Sequence, residues 1–477
     1  MGMLIESFKI LVIVVVAWSA VHICVYHLPN KERRFLRNTF LMALFLRTVV
    51  VLVVFVANLE PLPESSRYYS DNAFGIRHGD GYYYNLTAVS VSSELRKRLF
   101  GLGENRPINW NKNGYHYLLS FVYFLFGPSI LIGKFVNAVL GAWTSILAYF
   151  PARWIKDTKA GRISVLLCAV NPGMIYWSST LLKESLLMFL LMLLVISTLK
   201  FRRQVSAMSL IAVTLLLTYI TWVRLAYGFV VVVVLMCYAF LELFYCNRWI
   251  RIPKDRSVYI SGHVLTRALQ YAFFLVIIVF GINIISHKTG LMGNRAVSMT
   301  ALTSKLSDCK RTIVSRSQIE GASYIKRHKF LDANNNFSPK NLIFSAAKVI
   351  WTPTLPYSIK AHGHREQAAL YYFPMSILVM LIGPFVFEGI FEIVKTKNAS
   401  GLLICLLVGA IVASSVISLL NIHPAMLRKR APAMPFLMIL GGVGLAGRET
   451  KAKKRLRLAY YTLGGCVWLV YTVYYCL

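Results

Sequence analysis

Acid is scarce in this chain. Nineteen Asp and Glu stand against 52 Lys and Arg in 477 residues, and charged residues of both signs reach only 15%. A soluble domain carries about a quarter charged residues, so a water-soluble globular enzyme is excluded. The eight cysteines (24, 168, 237, 246, 309, 405, 466 and 476) form no CxxC pair, and nearly all lie in or beside apolar runs. Neither a disulfide framework nor a zinc site follows from them. No repeat with a period of roughly 20–50 residues and no low-complexity tract interrupts the sequence, which excludes a fibrous repeat.

What the chain has in abundance is apolar sequence. Hydrophobic residues make up 57%, in unbroken runs such as LVIVVVAW and VVVVVL. A transmembrane β-barrel would alternate in segments of about 10 residues, so these runs specify an all-α polytopic membrane protein. Twelve stretches approach the roughly 20 apolar residues that a crossing helix needs: 9–28, 39–58, 128–150, 163–180, 184–199, 205–222, 226–246, 261–285, 371–394, 400–421, 431–447 and 458–476.

The formal net charge of +33 fits this topology. Lys and Arg gather at 29–38, 151–162, 200–204, 247–260, 395–397 and 448–457. Placing all six on the cytoplasmic side lets the spans alternate without a violation and puts both termini outside. The basic residues are interrupted by spans rather than gathered on one domain, so nucleic acid is not the partner. Membrane lipids are.

The sequence therefore reads as one transmembrane domain over 1–477 with two substantial external segments, 59–127 and 286–370. Residues 115–127, YHYLLSFVYFLFG, are too short to cross and read as an aromatic-rich interfacial helix, with a second surface helix at 82–99. The 286–370 loop holds thirteen Lys and Arg against four acids, which suits an anionic ligand or an anionic lipid surface equally.

Rare ionisable residues on the outer side are the candidates for chemistry. In HGDGYYYNLTA, Asp80 precedes a helix start, with Tyr84 and Ala88 four and eight positions on, stacked along one face. Asp80 there is either a helix cap or a functional carboxylate. In NPGMIYWSSTLLKESLL, Lys183 and Glu184 interrupt apolar sequence between two spans, either as a polar turn or as a site. In NIHPAMLRKRAPAMPF, Arg428, Lys429 and Arg430 lie outside, against the positive-inside bias. Arginine forks suit bidentate phosphate binding, although an interfacial anchor would use the same residues. Arg224, in YITWVRLAYG, is a lone external arginine of the same kind.

Taken in order, these pieces resemble the membrane-embedded GT-C glycosyltransferases that use polyprenyl-phosphate-linked sugars, the group around protein O-mannosyltransferases and the lipid A aminoarabinose transferase. Asp80-x3-Tyr84-x3-Ala88 is similar to the acidic motif of their first external loop. FLFGPSILIGKFVNAVLGAWTSILAY, with Lys134, Asn137 and Gly141, is similar to the span that follows a phenylalanine-glycine pair. AGRISVLLCAVNPGMIYWSSTLLKESLLMFLL, with Pro172 and Glu184, is similar to the paired spans around their second external loop. Arg428-x-Arg430-x-Pro432-x2-Pro435 resembles an Arg-rich entry to a late span. The chain departs from the pattern in its extra N-terminal span and in having a single acid where the mannosyltransferases have an Asp-Glu pair.

The resemblance implies transfer of a sugar from a polyprenyl-phosphate donor to a hydroxyl of a glycan, lipid or protein acceptor, with inversion, at the outer face of a bacterial cytoplasmic membrane. Asp80 would be the base. Tyr84, Lys134, Lys183, Glu184, Arg224, Arg428 and Arg430 would bind substrate. No cofactor is expected; an isolated Asp argues against a dedicated metal cage but leaves room for a divalent metal. The alternatives are a lipid-linked glycan polymerase and a flippase of anionic lipid-linked glycans. A flippase would show internal repeats and midplane ionisable groups; here those groups are expected at the outer surface.

Overall fold

The computed structural model describes residues 2–57, 80–99, 114–204, 206–242, 373–420, 431–451 and 453–462. The regular structure among them is helical: α1 (Gly2–Val25), α2 (Asn30–Ala57), α3 (Asp80–Leu99), α4 (Gly114–Phe126), α5 (Ile130–Leu147), α6 (Tyr149–Ile155) and α7 (Thr158–Val170). There follow α8 (Pro172–Ser178), α9 (Glu184–Arg203), α10 (Ala207–Val223), α11 (Leu225–Leu241), α12 (Phe373–Thr396), α13 (Ala399–Leu420) and α14 (Met434–Leu445). Five of the described helical stretches are long and apolar enough to cross a membrane, and shorter apolar helices accompany them. The expected span at 261–285, the loop at 286–370 and most of the span at 458–476 lie outside the described residues.

Local sequence explains the helix starts. Ser129, Asp157, Asn171 and Ser206 each accept a hydrogen bond from a first-turn amide of α5, α7, α8 and α10, satisfying donors that a helix start otherwise orphans. Prolines explain two breaks. The span expected over 163–180 is two helices, α7 and α8, because Pro172 offers no N–H to the Cys168 carbonyl four residues back. Pro151 does the same to Leu147, where α5 gives way to α6.

The bundle has a centre and a rim. In α9, 78% of the most apolar window is buried inside the protein, against 17% in α1, so α9 is the central helix and α1 turns most of its surface to lipid. Exposed Phe8, Phe45, Phe229 and Phe240 make up part of that outer surface.

The basic segments converge on one end. Arg162, at the start of α7, pairs with Glu32 at the start of α2. Arg202 meets buried Glu242 at 2.5 Å and Ser400 at 3.4 Å, joining the ends of α9 and α11 to the start of α13. Lys156 reaches Glu392 at 3.9 Å, Lys453 reaches Glu392 at 3.7 Å, and Arg457 meets Glu388 at 2.5 Å. Short helix connections with like-signed loops thus lie at one end, as the charge count requires. The N-terminal part of α1 sits at the other end, with the Lys9 ammonium beside Gly127.

Residues 114–126 form one short helix, as expected, ended by Gly127 at φ 87°, a conformation that favours glycine. α4 packs against α3, and Arg96 of α3 donates to the Tyr123 and Phe124 carbonyls that close α4.

Candidate functional site

At the end opposite the basic loops, five pieces of chain meet. They are the first turns of α3 and α4, the N-terminal half of α5, the entry to α9, and the junction of α10 with α11.

α3 opens at Asp80 itself. Tyr84, one turn further along, is buried, and its ring lies 5.1 Å from Tyr115 and 4.9 Å from His116, both edge-on. The Lys183 ammonium lies 5.9 Å from the centre of the same ring, within cation–π range. The expected alignment of Tyr84 and Ala88 on one face is realised, both being buried.

Asn137 organises the floor. Its two amide hydrogens are shared among the Tyr115 hydroxyl at 3.0 Å and the carbonyls of Thr180 and Leu182 at 2.7 and 2.9 Å. Ser185 donates to the Asn137 carbonyl at 2.8 Å. The turn before α9 is thereby held against α5, which fixes Lys183 and Glu184. Burial pushes the Tyr115 hydroxyl well above the usual phenol range, so it stays protonated and can donate.

Glu184 is fully buried, and Arg224 approaches it at 3.5 Å. Arg224 stands where α10 stops and α11 begins, in extended backbone. The guanidinium also lies 5.1 Å from the centre of the Tyr227 ring.

Lys134 sits one turn before Asn137 on α5. It is 0% exposed, and its ammonium has no hydrogen-bond partner among the described residues. A buried ammonium without a partner is costly.

The sequence thus named Tyr84, Lys134, Lys183, Glu184 and Arg224, and the structure brings Tyr84 to Lys183 and Arg224 to Glu184. Asp80 is placed by its backbone alone. Arg428 and Arg430 lie outside the described residues. Three residues were missed. Tyr115 and His116 gave no signal, since aromatic residues are common in interfacial helices. Arg47 did give one, a lone arginine in LFLRTVVVLVV. It is fully buried among α2, α5 and α7, which corrects the expectation that ionisable groups gather only near the outer surface. Among the described residues no group of three or more His, Cys, Asp and Glu comes together.

No family model and no curated protein matches the sequence. Among solved structures, the chain is similar to the archaeal oligosaccharyltransferase AglB from Archaeoglobus fulgidus in complex with an inhibitory peptide and a dolichol-phosphate. That likeness has 12% identity and a TM-score of 0.44, over 92% of this chain and 56% of the other. It is also similar to ArnT from Cupriavidus metallidurans bound to undecaprenyl phosphate, at 12% identity and a TM-score of 0.43, over 81% of this chain and 62% of the other. The chain therefore spans a little over half the length of these proteins, and no residue role follows from the likeness.

Proposed function

We propose that this chain is a membrane glycosyltransferase of the GT-C kind. It moves a sugar from a polyprenyl-phosphate donor to an acceptor hydroxyl at the membrane face opposite the basic loops, with inversion. The observation that carries the reading is the buried ammonium of Lys134, one turn before Asn137 on α5 and without a hydrogen-bond partner among the described residues. Glu184 pairs with Arg224 at 3.5 Å. An anionic ligand completes such a site, and a lipid phosphate is an anion that can arrive from the bilayer.

The chemistry asks three things of the chain. A carboxylate takes the acceptor proton as its oxygen attacks the anomeric carbon; Asp80, one turn ahead of Tyr84, has that role. Cations stabilise the departing lipid phosphate as charge develops on it; Lys134 and Lys183 do so, with Arg428 and Arg430. Apolar helix surface holds the polyprenyl chain. The Glu184–Arg224 pair holds the entry to α9 in place.

The break between α7 and α8 favours a flippase, since interrupted helices near the midplane mark transporters. Arg47 speaks against it. Its two terminal nitrogens donate to three carbonyls and a hydroxyl, so the break is closed by the protein.

The test is transfer from a polyprenyl-phosphate sugar by purified protein. Asp80→Asn should lower the rate ~10²–10⁴-fold, the usual loss on removing a general base. Near-normal transfer by a folded Asp80→Asn protein would remove Asp80 as the base.

A further inference from the structure

The α7–α8 break leaves carbonyls unserved deep in the bundle. Pro172 cannot donate to Cys168, and the chain leaves helical geometry at Asn171. Backbone groups at this depth must find partners inside the protein. The Arg47 guanidinium supplies them, donating to Ala169 O at 3.3 Å and to Cys168 O at 3.4 Å. These carbonyls form the C-terminal end of α7, where a cation is favoured by the helix dipole. The same guanidinium reaches Ser145 Oγ of α5 at 3.2 Å. The backbone of Arg47 completes the clamp, since its carbonyl accepts from Ser179 Oγ at 3.1 Å, just past the end of α8. One residue therefore ties down the chain both before and after α8. Its fit is close: a Cβ on Gly141 would lie 2.7 Å from Arg47 Nε and 2.5 Å from Ser178 Cβ.

We propose that Arg47 is a positioning residue: it clamps 168–179 and so fixes where the following residues, Lys183 and Glu184, enter the outer cluster. The clamp itself does not depend on the glycosyltransferase reading. Only its consequence for ligand binding does.

Hydrogen–deuterium exchange on the full chain in nanodiscs tests it. Arg47→Met is expected to speed exchange of the amides over 173–184 by about tenfold or more, because stranded carbonyls favour local opening. Amides near Arg162 and Arg202 at the basic end should be unchanged. Arg47→Lys keeps the charge but cannot span both carbonyls and Ser145, so its exchange should fall between. Unchanged protection over 173–184 in folded Arg47→Met overturns the proposal. Should that variant fail to fold, unchanged protection in Arg47→Lys overturns it equally.

Undecaprenyl phosphate binding supplies the second readout. Affinity should weaken about tenfold in Arg47→Met with stoichiometry unchanged, and be partly restored in Arg47→Lys. Wild-type affinity in a variant whose 173–184 amides have loosened would overturn the link to Lys183 and Glu184. If wild-type protein does not bind this lipid, the functional reading falls, and exchange alone decides the clamp.

Discussion

At the residue scale, the outer cluster rests on two buried polar centres. Glu184 is fully buried while Arg224 keeps 20% of its side chain exposed. Glu184→Gln or Arg224→Met breaks this pair, and about 3 kcal/mol is expected for either, the low end for a buried pair because Arg224 is partly solvated. The double variant should lose less than the sum of the singles, measured by thermal unfolding in detergent. Asn137→Leu removes the donor to the Thr180 and Leu182 carbonyls, each costing about 1–3 kcal/mol if no new partner is found. Lys183, Glu184 and Arg224 were legible in the sequence because a charge within apolar sequence needs a reason. Arg47 obeyed the same rule. Two of its partners are backbone carbonyls exposed by a proline 125 positions away, and no local pattern announces them.

At the element scale, proline and glycine decide how helices divide and how closely they pack. Pro151 and Pro172 end helices, whereas Pro384 lies within α12. The expected apolar runs therefore located apolar helices among the described residues but not their interruptions. Whether a proline breaks a helix depends on what neighbours offer the orphaned carbonyl. α12 and α14 touch through glycines: a Cβ on Gly389 would run into the Leu440 carbonyl, and one on Gly444 into that of Phe385. Small residues let membrane helices approach in this way. Gly389→Val and Gly444→Val should each push α12 from α14 and destabilise by about 1–3 kcal/mol, the usual range for overpacking. Gly409, whose Cβ would meet nothing within 4 Å, should tolerate Ala in the same unfolding assay.

At the scale of the whole molecule, charge assigns the two ends and burial assigns the site. The basic loops, linked by pairs such as Arg202–Glu242 and Arg457–Glu388, form one end. The cluster of Tyr84, Lys183 and Glu184 forms at the other. The positive-inside rule predicts that the basic end faces the cytoplasm. A cysteine introduced at exposed Lys159 should resist an impermeant thiol reagent added from outside, and one at exposed Tyr83 should react. The reverse pattern would invert the protein in the membrane. This organisation was legible from loop charges. The convergence of α3, α4, α5, α9 and α10 was not, since it depends on contacts between distant parts of the chain.

The central claim is that a lipid phosphate neutralises Lys134. Lys134→Met tests it most directly, because stability and binding should then move in opposite directions. Replacing a buried ammonium that lacks a hydrogen-bond partner among the described residues with an apolar side chain of similar length removes a desolvation cost of several kcal/mol, so the ligand-free protein should melt higher. Undecaprenyl phosphate, titrated by native mass spectrometry, should bind at least about tenfold more weakly, as expected when a charge-assisted contact is lost. A Lys134→Met protein that binds this lipid as tightly as wild type would contradict the account.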